Sequence, residues 1–146
     1  SHAEALDVAL CFGWIDARVK RGDEHSYLQR FVPRSKKSIW SKINREHVSR
    51  LILAGEMQPS GMAEIKRAQA DGRWDSAYDP QSRATVPLDL QKAFKANPRA
   101  EAFFGTLDSQ NRYAVLFRLQ TARTPEARIR KLHQFVAMLA EGRKLH

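Results

Sequence analysis

The sequence predicts a mainly α (α+β) fold: a compact helical domain with a β-hairpin near the visible N-terminus. Three observations lead there. Apolar residues recur at helical spacing over most of the chain, and helix-start and helix-stop residues frame those stretches. Alternation at a spacing of two, the strand signal, is confined to residues 15–32. At 146 residues and 42% hydrophobic, the chain is long and apolar enough to bury a real core, and is read as a single domain over 1–146.

The elements follow in order. Ala3 to Phe12 reads as a helix, with Ala5, Leu6, Ala9 and Leu10 inward, Glu4 and Asp7 towards its start, and Gly13 as its stop. Ile15 to Lys20 alternates as a strand, 21–24 turns, and 25–32 returns, with Pro33 ending the pairing. Asn44 is the expected cap of a helix over 45–54, with a second possible start at Ser41. Val48, Leu51 and Ile52 form its stripe and Gly55 its stop. Pro59 or Ser60 opens a helix to about Asp71, with Met62, Ile65 and Ala68 inward. Residues 73–85 read as a loop anchored by Trp74 and Tyr78. Pro87 is expected at the first position of a helix to Ala96, and Asn97-Pro98 breaks it. A short helix then carries Ala102, Phe103 and Leu107. Asp108 or Ser109 caps the next, through Gln120. Thr124-Pro125-Glu126 starts the last, whose stripe is Ile129, Leu132, Phe135, Val136 and Leu139.

Several function classes recede on composition. Cys11 is the only cysteine, so the chain holds no internal disulfide, which fits a reducing compartment. No apolar run reaches the ~20 residues of a membrane span, and no signal peptide is visible. A cytoplasmic location is the expectation. The chain lacks an initiating Met and begins within a helix-start motif, so a preceding segment is expected too. The five histidines, at 2, 25, 47, 133 and 146, are never three or four apart, so no metal site and no cofactor is expected. No glycine-rich phosphate loop and no nucleophile elbow is present. Cys11 sits in an apolar helical stretch, where a thiol serves as a small core residue.

Charge is the strongest functional signal. The net charge is +9, unevenly placed. Residues 17–45 carry nine Lys/Arg against two acids, and residues 109–146 carry eight against two. Such a field draws in an anionic partner: a nucleic acid, a lipid headgroup or an acidic protein surface. The densest stretch joins the hairpin to the helices, where Arg30, Arg34, Lys36, Lys37, Lys42 and Arg45 surround Phe31 and Trp40. Aromatics among cations suit stacking on bases while guanidinium forks hold phosphate. A helix opening at Asn44 would add free N–H groups. The alternative is that Phe31, Ile39, Trp40 and Ile43 are core and the cations a wet rim. Arg118 and Arg128 are the candidates of the second basic block, where the same side chains could instead cover an amphipathic helix pair. An enzyme reading requires a pocket near Trp14, Asp16, Arg34 and Trp40, with Asp16 perturbed beside a buried Trp. An Asp that caps a turn or pairs with a neighbour is the plainer account. The remaining alternative is a sequence-nonspecific nucleic-acid binder.

A family resemblance adds to this. The runs Cys11-Phe12-Gly13-Trp14-Ile15-Asp16, Gln29-Arg30-Phe31-Val32-Pro33-Arg34 and Ser38-Ile39-Trp40-Ser41-Lys42-Ile43-Asn44 carry it, with Gly72-Arg73-Trp74-Asp75, Thr124-Pro125-Glu126-Ala127-Arg128 and Met138-Leu139-Ala140-Glu141-Gly142. In that order they resemble the bacterial YdeI/OmpD-associated, or bacteriocin-protection, proteins along nearly the whole chain. Ala127 departs slightly, since the family often has Thr there. The resemblance implies a role in resisting bacteriocins or cationic antimicrobial peptides, with no assigned reaction and no catalytic residues. Like charges repel, so a basic protein is a poor direct trap for cationic peptides, and an anionic partner is the easier route.

Overall fold

The computed structural model describes residues 1–146, whose internal packing forms two units, Ser1–Asp75 and Ser76–His146. The first holds three helices and the hairpin, and the second holds four helices. No helix is long and apolar enough to cross a membrane.

In the N-terminal unit, α1 spans His2–Cys11. The Ser1 hydroxyl accepts the Glu4 N–H and the Glu4 carboxylate reaches back to the Ser1 backbone, a capping box. Leu6, Leu10 and Cys11 are its buried face. Gly13, at φ +80°, turns the chain into β1 (Trp14–Arg21), which pairs antiparallel with β2 (Tyr27–Pro33). β2 begins two residues later than expected. The cause is local: the Asp23 carboxylate accepts the His25 N–H and the Ser26 hydroxyl accepts the Asp23 N–H, which keeps those residues in the turn. Asp16 faces Phe31 and Val19 faces Gln29, so two residues of β1 stand against Arg30 alone. This bulge breaks the strict alternation that the sequence suggests. Pairing also runs on to Pro33, opposite Trp14. A proline is tolerated at that strand end, because the next residue, Arg34, supplies the N–H that reaches the Gly13 carbonyl at 2.9 Å.

The next helix, α2 (Lys42–Leu53), starts at the earlier of the two anticipated places. Ser41 is extended and its hydroxyl accepts the Asn44 N–H, so Asn44 lies inside the first turn and is not the cap. Val48 and Leu51 are buried, whereas Ile52 sits at the edge of the stripe and is exposed. Gly55 (φ +71°) closes α2, and Pro59 opens α3 (Pro59–Ala70), which buries Gly61, Ile65 and Ala68.

In the C-terminal unit, α4 spans Leu88–Ala96, α5 Pro98–Thr106, α6 Ser109–Gln120 and α7 Pro125–Ala140. Pro87 caps α4 in extended conformation, one residue before the place expected for it. The Asn97, Asp108 and Thr124 side chains cap α5, α6 and α7 by accepting an N–H three residues on. Leu90, Phe94, Phe104, Leu119, Phe135 and Leu139 dominate the core. Ala100 and Phe104, not Ala102, are the buried residues of α5, and Ile129 lies outside the stripe of α7.

One clasp ties three of these helices. Arg128 donates two hydrogen bonds to the Asp89 carboxylate, at 2.7 and 3.0 Å, and a third to the Leu119 carbonyl at the end of α6. The Arg128 guanidinium, through those hydrogen bonds, holds the Asp89 carboxyl below its ordinary value. A depressed carboxylate contributes stability that is complete above the unfolded pKa of about 3.9 and disappears as the pH falls through the lower folded value. Asp89 is 39% exposed, so water screens the pair and its worth is about 1 kcal/mol or less. Asp89→Asn is therefore expected to be slightly less stable than wild type at pH 7. The difference should close below about pH 3.9, as read by urea melts at both ends of that range.

Candidate functional site

The basic stretch after the hairpin is held from inside. Ser35 and Ser38 form a tight turn: Ser38 N–H donates to the Ser35 carbonyl at 3.1 Å, and Ser35 N–H to the Ser38 hydroxyl at 2.8 Å. The Ser35 hydroxyl also accepts the Lys37 N–H. Lys36 and Lys37 stand exposed at the tip, neither tied to a carboxylate. Beneath them lies Arg73, only 2% exposed. It donates to the Ser38 carbonyl at 2.8 Å and more weakly to that of Ser35, and its Nε binds both Asp71 oxygens. Asp71 neutralises the guanidinium, so a third cation can sit near two lysines.

Behind the turn lies an alternating stack. The Arg34 guanidinium rests 3.5 Å from the Trp40 ring centroid, and Trp40 meets Trp74 edge-on at 5.0 Å. Arg45 lies 5.1 Å from the Trp74 ring and donates to the Trp74 carbonyl. Each cation over an indole face is worth on the order of 1–2 kcal/mol when desolvated. Arg34 is 5% exposed and donates to the Ile39 carbonyl, and Trp40 is fully buried. Phe31 and Ile43 are half-buried and Ile39 is 43% exposed, so the apolar staple expected from four residues is chiefly Trp40.

The candidates therefore separate by position. Arg30, Lys36 and Lys37 are exposed, whereas Arg34 is part of the packing. Lys42 is half-buried in the first turn of α2 and lines a cleft of about 600 Å³ with Arg45, Glu46, Ser49 and Trp74. Asn44 is half-buried, its N–H taken by Ser41. Trp14 is 42% exposed and is not the buried partner expected for Asp16. It lines an open apolar cleft of about 400 Å³ with Val8, Phe12 and Phe31. Asp16 lies 3.7 Å from His2 Nε2 and is partly exposed. Cys11 is buried, and burial, with Glu56 and Asp7 nearby, raises its thiol pKa. A protonated, buried thiol is a core group.

In the C-terminal unit, Arg128 is engaged with Asp89. Arg118 is half-buried beside a shallow cleft with Gln110, Phe117 and His146, and its carbonyl accepts from Lys131. Sequence reasoning misses two features. One is Arg73 as the support of the basic turn. The other is a polar knot on α6: Gln120 and Asp79 exchange two hydrogen bonds of 2.7 Å, and the Tyr113 hydroxyl donates to the Asp79 carbonyl at 2.7 Å. Burial, then the charges of Tyr78 and Asp79, raises the Tyr113 pKa. For Arg73 the available signal is Asp71, two residues upstream of an arginine that precedes a tryptophan. The knot has none, since its members are 34 and 41 positions apart.

Two family models match, and they divide the chain. Residues 1–64 match a domain of unknown function (DUF8412), which includes the hairpin, the basic turn and α2. Residues 83–142 match the model described as Bacteriocin-protection, YdeI or OmpD-Associated. The protection-family match thus starts beyond the basic turn and is narrower than the resemblance expected along nearly the whole chain. No curated protein and no solved structure matches the chain. Residues 83–142, inside the four-helix C-terminal unit, are thus the part of this chain that is similar to the bacteriocin-protection, YdeI or OmpD-associated family.

Proposed function

We propose that the chain is a bacteriocin-protection-associated binding protein, not an enzyme, and that it holds an anionic partner on the basic surface of its N-terminal unit. The observation that supports this most directly is the turn Ser35–Ser38. It presents Lys36 and Lys37 to solvent on a backbone already fixed by two serines and by Arg73. A fixed backbone lowers the ordering cost of binding. Arg18, Lys20, Arg21 and Arg30 stand exposed on the adjoining hairpin and extend the positive surface. Protection then runs through the anionic partner, because a +9 chain repels a cationic peptide.

The hairpin favours one second reading, a nucleic acid as that partner. A two-stranded ribbon fits a major groove, and here it exposes Tyr27 and Leu28 beside Lys20 and Arg21. Fluorescence anisotropy with a labelled DNA duplex, repeated over a salt series, tests both readings. Removing one lysine–phosphate pairing lowers the slope of log K on log salt by about 0.9, so Lys36→Ala/Lys37→Ala should lower it by nearly ~2. The two lysines are the right test because Arg34→Ala would disturb the packing against Trp40 instead. If DNA binding is absent but anionic vesicles or an acidic peptide bind and respond to the double substitution, the nucleic-acid reading fails and the anionic-partner reading stands. If none of the three polyanions responds to Lys36 and Lys37, the proposal itself is wrong.

A further inference from the structure

A cleft of about 490 Å³ opens in the C-terminal unit, at the junction of α5 and α6, and none of the cations of the N-terminal unit lines it. Its volume lies in the range of small-molecule sites. One face of α6 lines it, since Ser109, Arg112, Tyr113 and Leu116 recur at spacings of three and four. Phe104 and Val86 complete an apolar floor with Leu116. The lining contains no Asp or Glu, and Arg112 is its single charge. Arg112 is exposed and makes no direct ion pair, although it and Asp108 feel each other's charge. The Tyr113 hydroxyl spends its proton on the Asp79 carbonyl, so Gln81, Thr85, Ser109 and Arg112 are the side-chain donors left to a guest. Asp108 is close by but does not line the cleft, and its Oδ1 accepts from both the Asn111 backbone and side chain.

A second observation points the same way. Gly105 lies within α5 and lines this cleft. Its φ is ordinary, and a Cβ built on it would meet nothing within 4 Å. Neither backbone conformation nor close packing requires glycine there. Glycine weakens a helix relative to alanine, and what its bareness provides at this position is open space in the cleft.

We infer that the α5–α6 cleft is a binding site for a small molecule with an aromatic body and a single carboxylate. The body lies on Phe104, Val86 and Leu116, and the carboxylate accepts from Arg112 and Ser109. This goes beyond the anionic-partner reading, because it uses neither the N-terminal unit nor its lysines.

The test is a titration of the full chain with phenylacetate, followed by the backbone amide signals in two-dimensional NMR. Saturable shifts are expected at Gly105, Ser109 and Arg112. The neutral isostere phenylacetamide should bind about tenfold more weakly, because it forfeits a charge-assisted bond. Arg112→Gln should erase that preference. Gly105→Leu should abolish saturation while the rest of the spectrum stays that of a folded chain, since the new side chain enters empty space. Shifts that never saturate, or that survive Gly105→Leu unchanged, would overturn the site. Equal binding of acid and amide would overturn the role of Arg112. The polyanion binding assigned to Lys36 and Lys37 should be unaffected by Gly105→Leu, so the two proposals fail separately.

Discussion

Arg73→Ala is expected to destabilise the N-terminal unit by about 3 kcal/mol and to loosen the basic turn at the same time. The side chain is almost wholly buried, so truncation leaves a void in the packing. It also leaves the Ser38 carbonyl without the 2.8 Å donor it now has. An orphaned buried acceptor costs about 1–3 kcal/mol by itself. Asp71 softens the loss, because its carboxylate is 38% exposed and can be rehydrated. Arg73 is also imperfectly satisfied as it stands, since Nη2 is buried with no hydrogen-bond partner. Both points keep the effect near the lower end for a broken buried pair. Lysine should not rescue it, because one ammonium cannot serve Asp71 and the Ser38 carbonyl from the fork geometry that Arg73 uses. Urea melts read the stability, and amide exchange at Lys37 and Ser38 reads the turn. Should Arg73→Ala melt within about 0.5 kcal/mol of wild type, the guanidinium is not the support of the turn.

Arg73 also shows where sequence reasoning stops. The helix limits are legible because they rest on local chemistry. Thr124-Pro125 starts α7, Asn97-Pro98 both ends α4 and starts α5, and Gly13, Gly55, Gly72 and Gly142 occupy positive φ at the stops. The hairpin is legible from alternation, although the bulge at Ala17 and Arg18 is not, because it is decided by pairing across strands. Stripes are right at their centres and wrong at their edges. Ile52 and Ile129 fit the period, yet each lies about 100° round the helix from a buried or inward neighbour and stays in water. Burial of Arg34 and Arg73 goes unread for a different reason. Charge places arginine on the surface by default, and only the tertiary partners, an indole face for one and a carboxylate with two carbonyls for the other, overrule it. The candidate site is thus legible as a region but not as a set of residues. The sequence separates cations from apolar residues, and the structure separates cations that pack from cations that project.

Gly61→Ala is expected to be at least as damaging, by about 3 kcal/mol or more, and for a purely steric reason. Gly61 stands in the first turn of α3, where that helix abuts the end of α1. The Gln58 N–H donates to the Cys11 carbonyl at 3.0 Å, and the Ser60 hydroxyl to the Phe12 carbonyl at 3.0 Å. The start of one helix thus satisfies two carbonyls left open at the end of another, with their dipole ends in favourable contact. A Cβ on Gly61 would lie 2.1 Å from the Cys11 oxygen and 2.8 Å from its carbon. Both are backbone atoms and cannot swing aside, so α3 must move away by about 1 Å or more to restore van der Waals contact. That displacement breaks the two bonds which join the helix ends. Gly55 supplies the comparison: its φ of +71° disfavours alanine, but no atom lies within 4 Å of the added Cβ. Gly55→Ala should therefore cost only about 1–2 kcal/mol of backbone strain. Urea denaturation of both variants separates the two causes. If Gly61→Ala proves no worse than Gly55→Ala, the abutment of α1 and α3 yields to a methyl group, and close approach is not what requires glycine at position 61.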